Sequence, residues 1–332
     1  TTNTIEAYSG IGGGTVTLAA SHAAANIAMT TAAATTLNVG AQTVTGTYAL
    51  ADSADVLKVT ATADISGINS GALTTAENLD LTTVALINAS MTEAQYDGFT
   101  GITANAGNDT ITIKTGDIAS IATDADIGTY VLLDDTNDAM TITIGASDDV
   151  NITSAQADNV LTVAVTGTQT GALSLVNTNG HTLKGIGTLN VVDLTLSNID
   201  TMDLTDTNAA NVITMTEAQY DQMGAITGNA DDDRVIIAAG SIASIVTDAD
   251  VGNYTIGEDS GAAYTVTVGA TDNVNITSAS TQDVMTLQIA GTYTGTLDLG
   301  DVAGHKVQIT ADANIAGATL QNMDNMLITG NT

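Results

Sequence analysis

The feature that most restricts this chain is a tandem repeat. Met91-Thr92-Glu93-Ala94-Gln95-Tyr96-Asp97 recurs as Met215-Thr216-Glu217-Ala218-Gln219-Tyr220-Asp221, an offset of 124 residues. The offset holds without a gap through Ile118-Ala119-Ser120-Ile121 and Ile242-Ala243-Ser244-Ile245, and through Val150-Asn151-Ile152-Thr153 and Val274-Asn275-Ile276-Thr277. It reaches Gly180-His181 and Gly304-His305, then Asn198-Ile199-Asp200 and Asn322-Met323-Asp324. A third copy is shorter: Leu57 and Leu81 lie 24 residues apart where Leu161 and Leu204 lie 43 apart, so 19 residues are missing. A chain wound in coils of about 20 residues loses one coil cleanly, because each coil touches only its neighbours. In a sandwich the same loss removes a hairpin and leaves a gap in the core. The copies divide the chain at 1–80, 81–204 and 205–328, with 329–332 opening a further repeat or a subunit junction. Continuing the register past Thr332 sets Asn3 on Asn211 and Ile5 on Ile213, so the ends read as continuous with each other.

The local pattern is β. Runs such as Thr141-Ile142-Thr143-Ile144, Tyr264-Thr265-Val266-Thr267-Val268 and Met285-Thr286-Leu287-Gln288-Ile289 alternate apolar with polar residues and end at Gly, Asn or Asp. The chain has no Pro, no Cys, no Trp and one Phe, so its core is aliphatic and its backbone donors are free to join ladders. The fold class expected is all-β, a parallel β-solenoid of about 20 residues per coil with short helical decorations. The alternative is a row of tandem antiparallel β-sandwich domains of about 100 residues each. Thr92 and Thr216, each followed three residues on by Gln95 or Gln219, predict a capping box and one or two helical turns. Gly116–Ala125 and Gly240–Ala249 are expected as further short helices. Tyr96 and Tyr220 keep one register in both copies, which predicts that they cap the core beside the helical turn.

Charge excludes whole classes of function. Thirty-seven acidic residues face five basic ones, for a net charge of −32, which repels nucleic acid. Without Cys there is no disulfide, no thiolate zinc site and no thiol catalysis. No apolar run approaches the roughly 18 residues of a membrane helix, so membrane insertion is not expected. Thr1-Thr2-Asn3-Thr4 brings neither a basic start nor an apolar signal core. No enzyme is expected: Arg234 is the only arginine, Lys58, Lys114, Lys184 and Lys306 are scattered, and no phosphate loop, nucleophile elbow or zinc-protease motif occurs. His181 and His305 read as solvated turn residues.

The acids are 32 Asp and five Glu. Asp favours turns and oxygen sites for hard cations, so the acid is expected at turns. Three pairs of Asp-rich turns are candidates: Asn108-Asp109 with Asp231-Asp232-Asp233, Asp148-Asp149 with Asp272, and Asp158 with Asp283. Stacked coils would set such carboxylates about 4.8 Å apart, where Ca²⁺ turns repulsion into a link. The competing reading is that each Asp simply closes an Asx turn. Gly107-Asn108-Asp109-Thr110-Ile111 resembles part of the calcium-binding nonapeptide of RTX, or hemolysin-type, proteins, and the Thr-, Ala- and Asp-rich texture resembles their β-strand-repeat surface relatives, S-layer proteins and type I-secreted adhesins. The resemblance implies Ca²⁺-dependent folding outside the cell, with Asn108 and Asp109 as the first ligands to transfer. The tandem nonapeptide copies of true RTX sites do not occur here. The expectation is an extracellular, cell-surface structural protein that assembles with copies of itself into a layer, sheath or filament, stabilised by Ca²⁺ and in contact with surface polysaccharide. The alternatives are an adhesin stalk that binds glycans through Tyr96 or Tyr220, and a β-helix enzyme acting on polysaccharide.

Overall fold

The fold was read from a computed structural model. The structure describes residues 7–9, 13–18, 26–28, 34–41, 43–46, 48–49, 54–68, 77–83, 86–105, 109–114, 118–133, 139–146, 148–154, 160–175, 180–205, 210–229, 233–258, 262–270, 272–278, 285–289, 291–299, 306–309 and 313–328. The chain forms two units, 1–161 with 171–178 and 162–170 with 179–332. Each is a parallel β-solenoid with about 21 residues per coil.

Every coil contributes short strands that pair in parallel with the coils before and after. In the first unit Ile111 of Thr110–Ile113 lies opposite Ala89 on one side and Tyr130 of Thr129–Leu132 on the other; Tyr130 lies opposite Ile152, and Ile152 opposite Leu173. In the second unit the same kind of row runs Leu189, Ile213, Val235, Tyr254, Ile276, Leu297. All of these are buried. The alternating sequence thus places one apolar residue per coil in each interior row and a Thr, Asn or Ser outside. Each fully buried Leu or Ile contributes roughly 1.5–3 kcal/mol, and the row repeats the gain at every coil.

The missing 19 residues of the first copy correspond to one coil. The strand Val56–Val59 pairs directly with Glu77–Asp80, whereas its third-copy counterpart Met285–Ile289 reaches Asn325–Ile328 only through Lys306–Ile309. Parallel pairing throughout the described strands rules out the sandwich alternative, whose strands are antiparallel.

The two capped turns are α1 (Glu93–Tyr96) and α2 (Glu217–Gln222), each with a complete capping box on Thr92 or Thr216. The further helices expected at 116–125 and 240–249 are corrected: those segments contain the strands Ser120–Ala122 and Ser244–Val246. They pair with Thr141–Thr143 and Thr265–Thr267, and this long-range pairing overrides their Ala- and Ser-rich local pattern. His181 is likewise not solvated but fully buried; its carbonyl oxygen accepts the N–H groups of Asp200 and Thr201. His305 lies outside the described residues.

The copies differ at one buried hydroxyl. In the second unit Tyr264 donates its phenol to Ser278 Oγ over 3.2 Å. The corresponding positions in the first unit are Met140 and Ser154, and Ser154 Oγ is buried without a hydrogen-bond partner. An unmade buried hydrogen bond costs about 1–3 kcal/mol, so Ser154→Ala is expected to stabilise the protein by about 1 kcal/mol. Ser278→Ala, which removes the hydroxyl that Tyr264 bonds, is expected to destabilise it. Urea denaturation of the two variants checks the opposite signs.

Candidate functional site

The repeat conserves a hydrogen-bond frame around each helical turn. Gln95 and Gln219 accept the N–H of their own cap residue on Oε1 and donate Nε2 to two carbonyls of an earlier coil. Those carbonyls belong to Ile65 and Ile68 in the first unit and to Val191 and Leu194 in the second, at 2.6–2.8 Å. Glu93 Oε1 accepts the N–H groups of Ala119 (3.0 Å) and Ser120 (2.8 Å), and Glu217 Oε1 those of Ala243 and Ser244.

Each frame ends in a pair of tyrosines. Tyr96 donates its phenol to the Ala122 carbonyl at 2.6 Å, and Tyr130 Oη lies 2.9 Å from Tyr96 Oη while accepting the N–H of Asp124. Since the Tyr96 proton is committed to Ala122, Tyr130 is the donor between the two phenols. The chain therefore runs from Asp124 N–H through Tyr130 and Tyr96 to the Ala122 carbonyl. Tyr220, Tyr254, Val246 and Asp248 repeat it. The rings meet edge to face, with centroids 5.9 Å and 6.1 Å apart. Burial drives all four phenol pKa values well above the ordinary tyrosine range.

Beside each tyrosine pair lies an open cleft, of about 250 Å³ in the first unit and 300 Å³ in the second. Tyr96, Asp97, Ile102, Thr123 and Asp124 line the first, and their counterparts Tyr220, Asp221, Ile226, Thr247 and Asp248 line the second. The remaining wall differs: Phe99, Thr100, Gly101 and Ala122 in one, Met223 and Val246 in the other. Phe99 opens the strand Phe99–Thr103, whose register against Glu77–Asp80 shifts between Phe99 and Gly101. A Cβ on Gly101 at this bulge would stand 2.8 Å from Asn78 Oδ1, so the Asn78 side chain would have to turn aside. Desolvation raises the pKa of Asp97. Burial also raises that of Asp124, with the Asp126 and Asp148 charges adding to it. Asp221 is raised by burial and by Glu217.

The sequence-selected aspartates are distributed as follows. Both oxygens of fully buried Asp109 accept backbone N–H groups, Oδ1 from Ile87 at 2.8 Å and Oδ2 from Asn105 at 2.9 Å. Asp233 does the same for Asn211 (2.9 Å) and Asn229 (2.5 Å). Asp148 and Asp272 accept the hydroxyl of Thr123 or Thr247 and the N–H of Gly145 or Gly269. Asp149 is exposed. Asn108, Asp158, Asp231, Asp232 and Asp283 lie outside the described residues. The described candidates are therefore not drawn into one cluster; Asp109, Asp148, Asp233 and Asp272 each tie their own bend to a neighbouring segment. Asp55, which was not singled out, accepts the Thr35 N–H at 2.7 Å, and Asp200 accepts that of Gly180 at 2.9 Å. The available signal was a lone Asp just before a strand, facing a backbone amide about one coil earlier. Asx turns also occur, at Asp124 and Asp248, whose Oδ1 atoms accept the N–H two residues on.

The lysines join coils on the outside. Lys58 pairs with Asp80, Lys114 with Asp64 (2.7 Å) and Lys184 with Asp203 (3.5 Å). Burial alone would raise the carboxyl pKa of Asp64, Asp80 and Asp203; the lysines and the Ser or Thr two residues on outweigh it, and all three end below the usual range.

The folds and frames define a β-solenoid repeat protein. Compared with known proteins, the chain matches no family model, no curated protein and no solved structure.

Proposed function

We propose that this is an extracellular structural protein that assembles with copies of itself into a surface layer, sheath or filament, with Ca²⁺ as counterion to its excess carboxylate. The observation that carries this reading is where the repeat keeps its residues identical. Glu93, Gln95, Tyr96, Asp109, Tyr130 and Asp148 all recur 124 residues later, and all six are hydrogen-bonded to the backbone of the solenoid or to each other. Duplication that preserves a frame rather than a reactive constellation fits a building element. The net charge of −32 supports a role for bound cations, since like charges on successive coils oppose stacking. The link to RTX-type surface proteins belongs to the same proposal and rests on the texture and on Gly107–Ile111.

The test is negative-stain imaging and light scattering of the full chain with Ca²⁺ and with EDTA. Ordered polymers in Ca²⁺ that dissolve in EDTA are expected. A monodisperse monomer under both conditions would overturn the reading.

A further inference from the structure

We infer that the first unit's cleft is a binding site for a single neutral hexopyranose ring, with Phe99 as its stacking wall and Asp97 and Asp124 as its hydroxyl acceptors. The starting observation is the position of Phe99. It is the only Phe in 332 residues, in a chain whose interior is aliphatic apart from tyrosine. The hydrophobic effect would place it inside, yet it stands half-buried on a cleft wall at a register shift between Phe99 and Gly101. Bulges recur where a side chain is aimed at a ligand.

The other walls supply the complementary chemistry. Tyr96 and Thr123 have their polar atoms committed, the first to Ala122 and the second to Asp148. Asp97 caps the helix through its backbone N–H, which bonds Glu93 and Gln95, and leaves its carboxylate at the cleft mouth. Asp124 spends Oδ1 on the Asp126 N–H. Both carboxyl groups are partly desolvated, a state that donors from a ligand relieve. An apolar wall facing acceptors across about 250 Å³ suits one small amphiphilic ring, below the size of a drug-like pocket. A pyranose offers just that: C–H groups on one face and hydroxyl donors around the rim. Uronic acids are excluded by the two carboxylates.

The second cleft is the internal control. It keeps Tyr220, Asp221 and Asp248 but has Met223 in place of Phe99, so it lacks the second aromatic side chain. The inference does not depend on self-assembly, because it is read on the dissolved chain.

The experiment is saturation-transfer NMR on the full chain with four probes: the methyl pyranosides of glucose, galactose, mannose and N-acetylglucosamine, with methyl glucuronide as the negative control. At least one neutral probe is expected to receive saturation on its ring C–H protons. Phe99→Ala should weaken that probe at least tenfold, and Asp97→Ala comparably, while Met223→Ala leaves it unchanged. Met223→Phe should raise the stoichiometry from one site towards two. Phe99→Leu, which keeps the apolar volume, serves if the Ala variant does not fold. Silence from all four neutral probes, or binding that survives Phe99→Ala or Phe99→Leu undiminished, would overturn the inference.

Discussion

Asp109→Ala is expected to lower stability by about 2–6 kcal/mol. The carboxylate is fully buried and accepts two backbone N–H groups, those of Ile87 and Asn105. Truncation removes the carboxylate acceptor of both N–H groups, at about 1–3 kcal/mol for each. Asp233→Ala should cost at least as much, since the Asn211 side-chain amide also lies 3.3 Å from Asp233 Oδ1. Asn at either position retains one acceptor oxygen and should recover part of the loss. Asp97→Ala, at a surface residue, is expected to stay within about 0.5 kcal/mol. Urea denaturation measures the totals, and amide hydrogen exchange at Ile87 and Asn105 locates them. An unchanged midpoint with unchanged exchange at those two amides would show that the staple contributes nothing.

The second large effect is alkaline unfolding. The phenols of Tyr96, Tyr130, Tyr220 and Tyr254 have folded-state pKa values raised above the unfolded value of about 10, chiefly by burial. A raised pKa means the folded state holds the proton longer. The contribution is therefore fully present below about pH 10 and is lost as pH rises beyond it, by about 1.4 kcal/mol per pH unit for each tyrosine that ionises only on unfolding. Stability measured from pH 8 to pH 12 is expected to be level at first and then to fall steeply. Tyr130→Phe with Tyr254→Phe should start less stable, having lost four hydrogen bonds, two at each phenol, but fall with a shallower slope. An identical slope in the double variant would mean that other groups govern the alkaline limit. At the acid end the sign is reversed for Asp64, Asp80 and Asp203. Their lowered pKa values give stability that is present above about pH 4 and lost as pH falls below it. These pairs are partly exposed, so the loss is small.

The solenoid was legible because its information is periodic. One apolar residue per interior row and a clean deletion of one coil's worth of chain both appear in the residue order before any contact is known. The capping boxes were legible for a similar reason, since Thr92 and Gln95 need only each other and the local backbone. The strands Ser120–Ala122 and Ser244–Val246 were not, because their conformation is decided by pairing with strands about 21 residues further on. The role of the aspartates was half legible. Their place at bends follows from residue type, but whether the carboxylate faces a neighbouring amide or solvent depends on which coil stacks beneath it.

The clefts show the division most clearly. Residue order alone established that Tyr96, Asp97, Thr123 and Asp124 recur as a set, and it established the aliphatic core and the acidic excess and favoured the winding over a row of sandwiches. Stacking the coils decided that Tyr96 meets Tyr130 across 34 residues of chain, that both rings are buried rather than displayed, and that Phe99 faces the wall they leave open. The physical reason is range. Alternation and capping act within a few residues and leave their mark in a linear string, whereas a buried carboxylate or a cleft wall depends on partners that only the closed coil brings within hydrogen-bond distance.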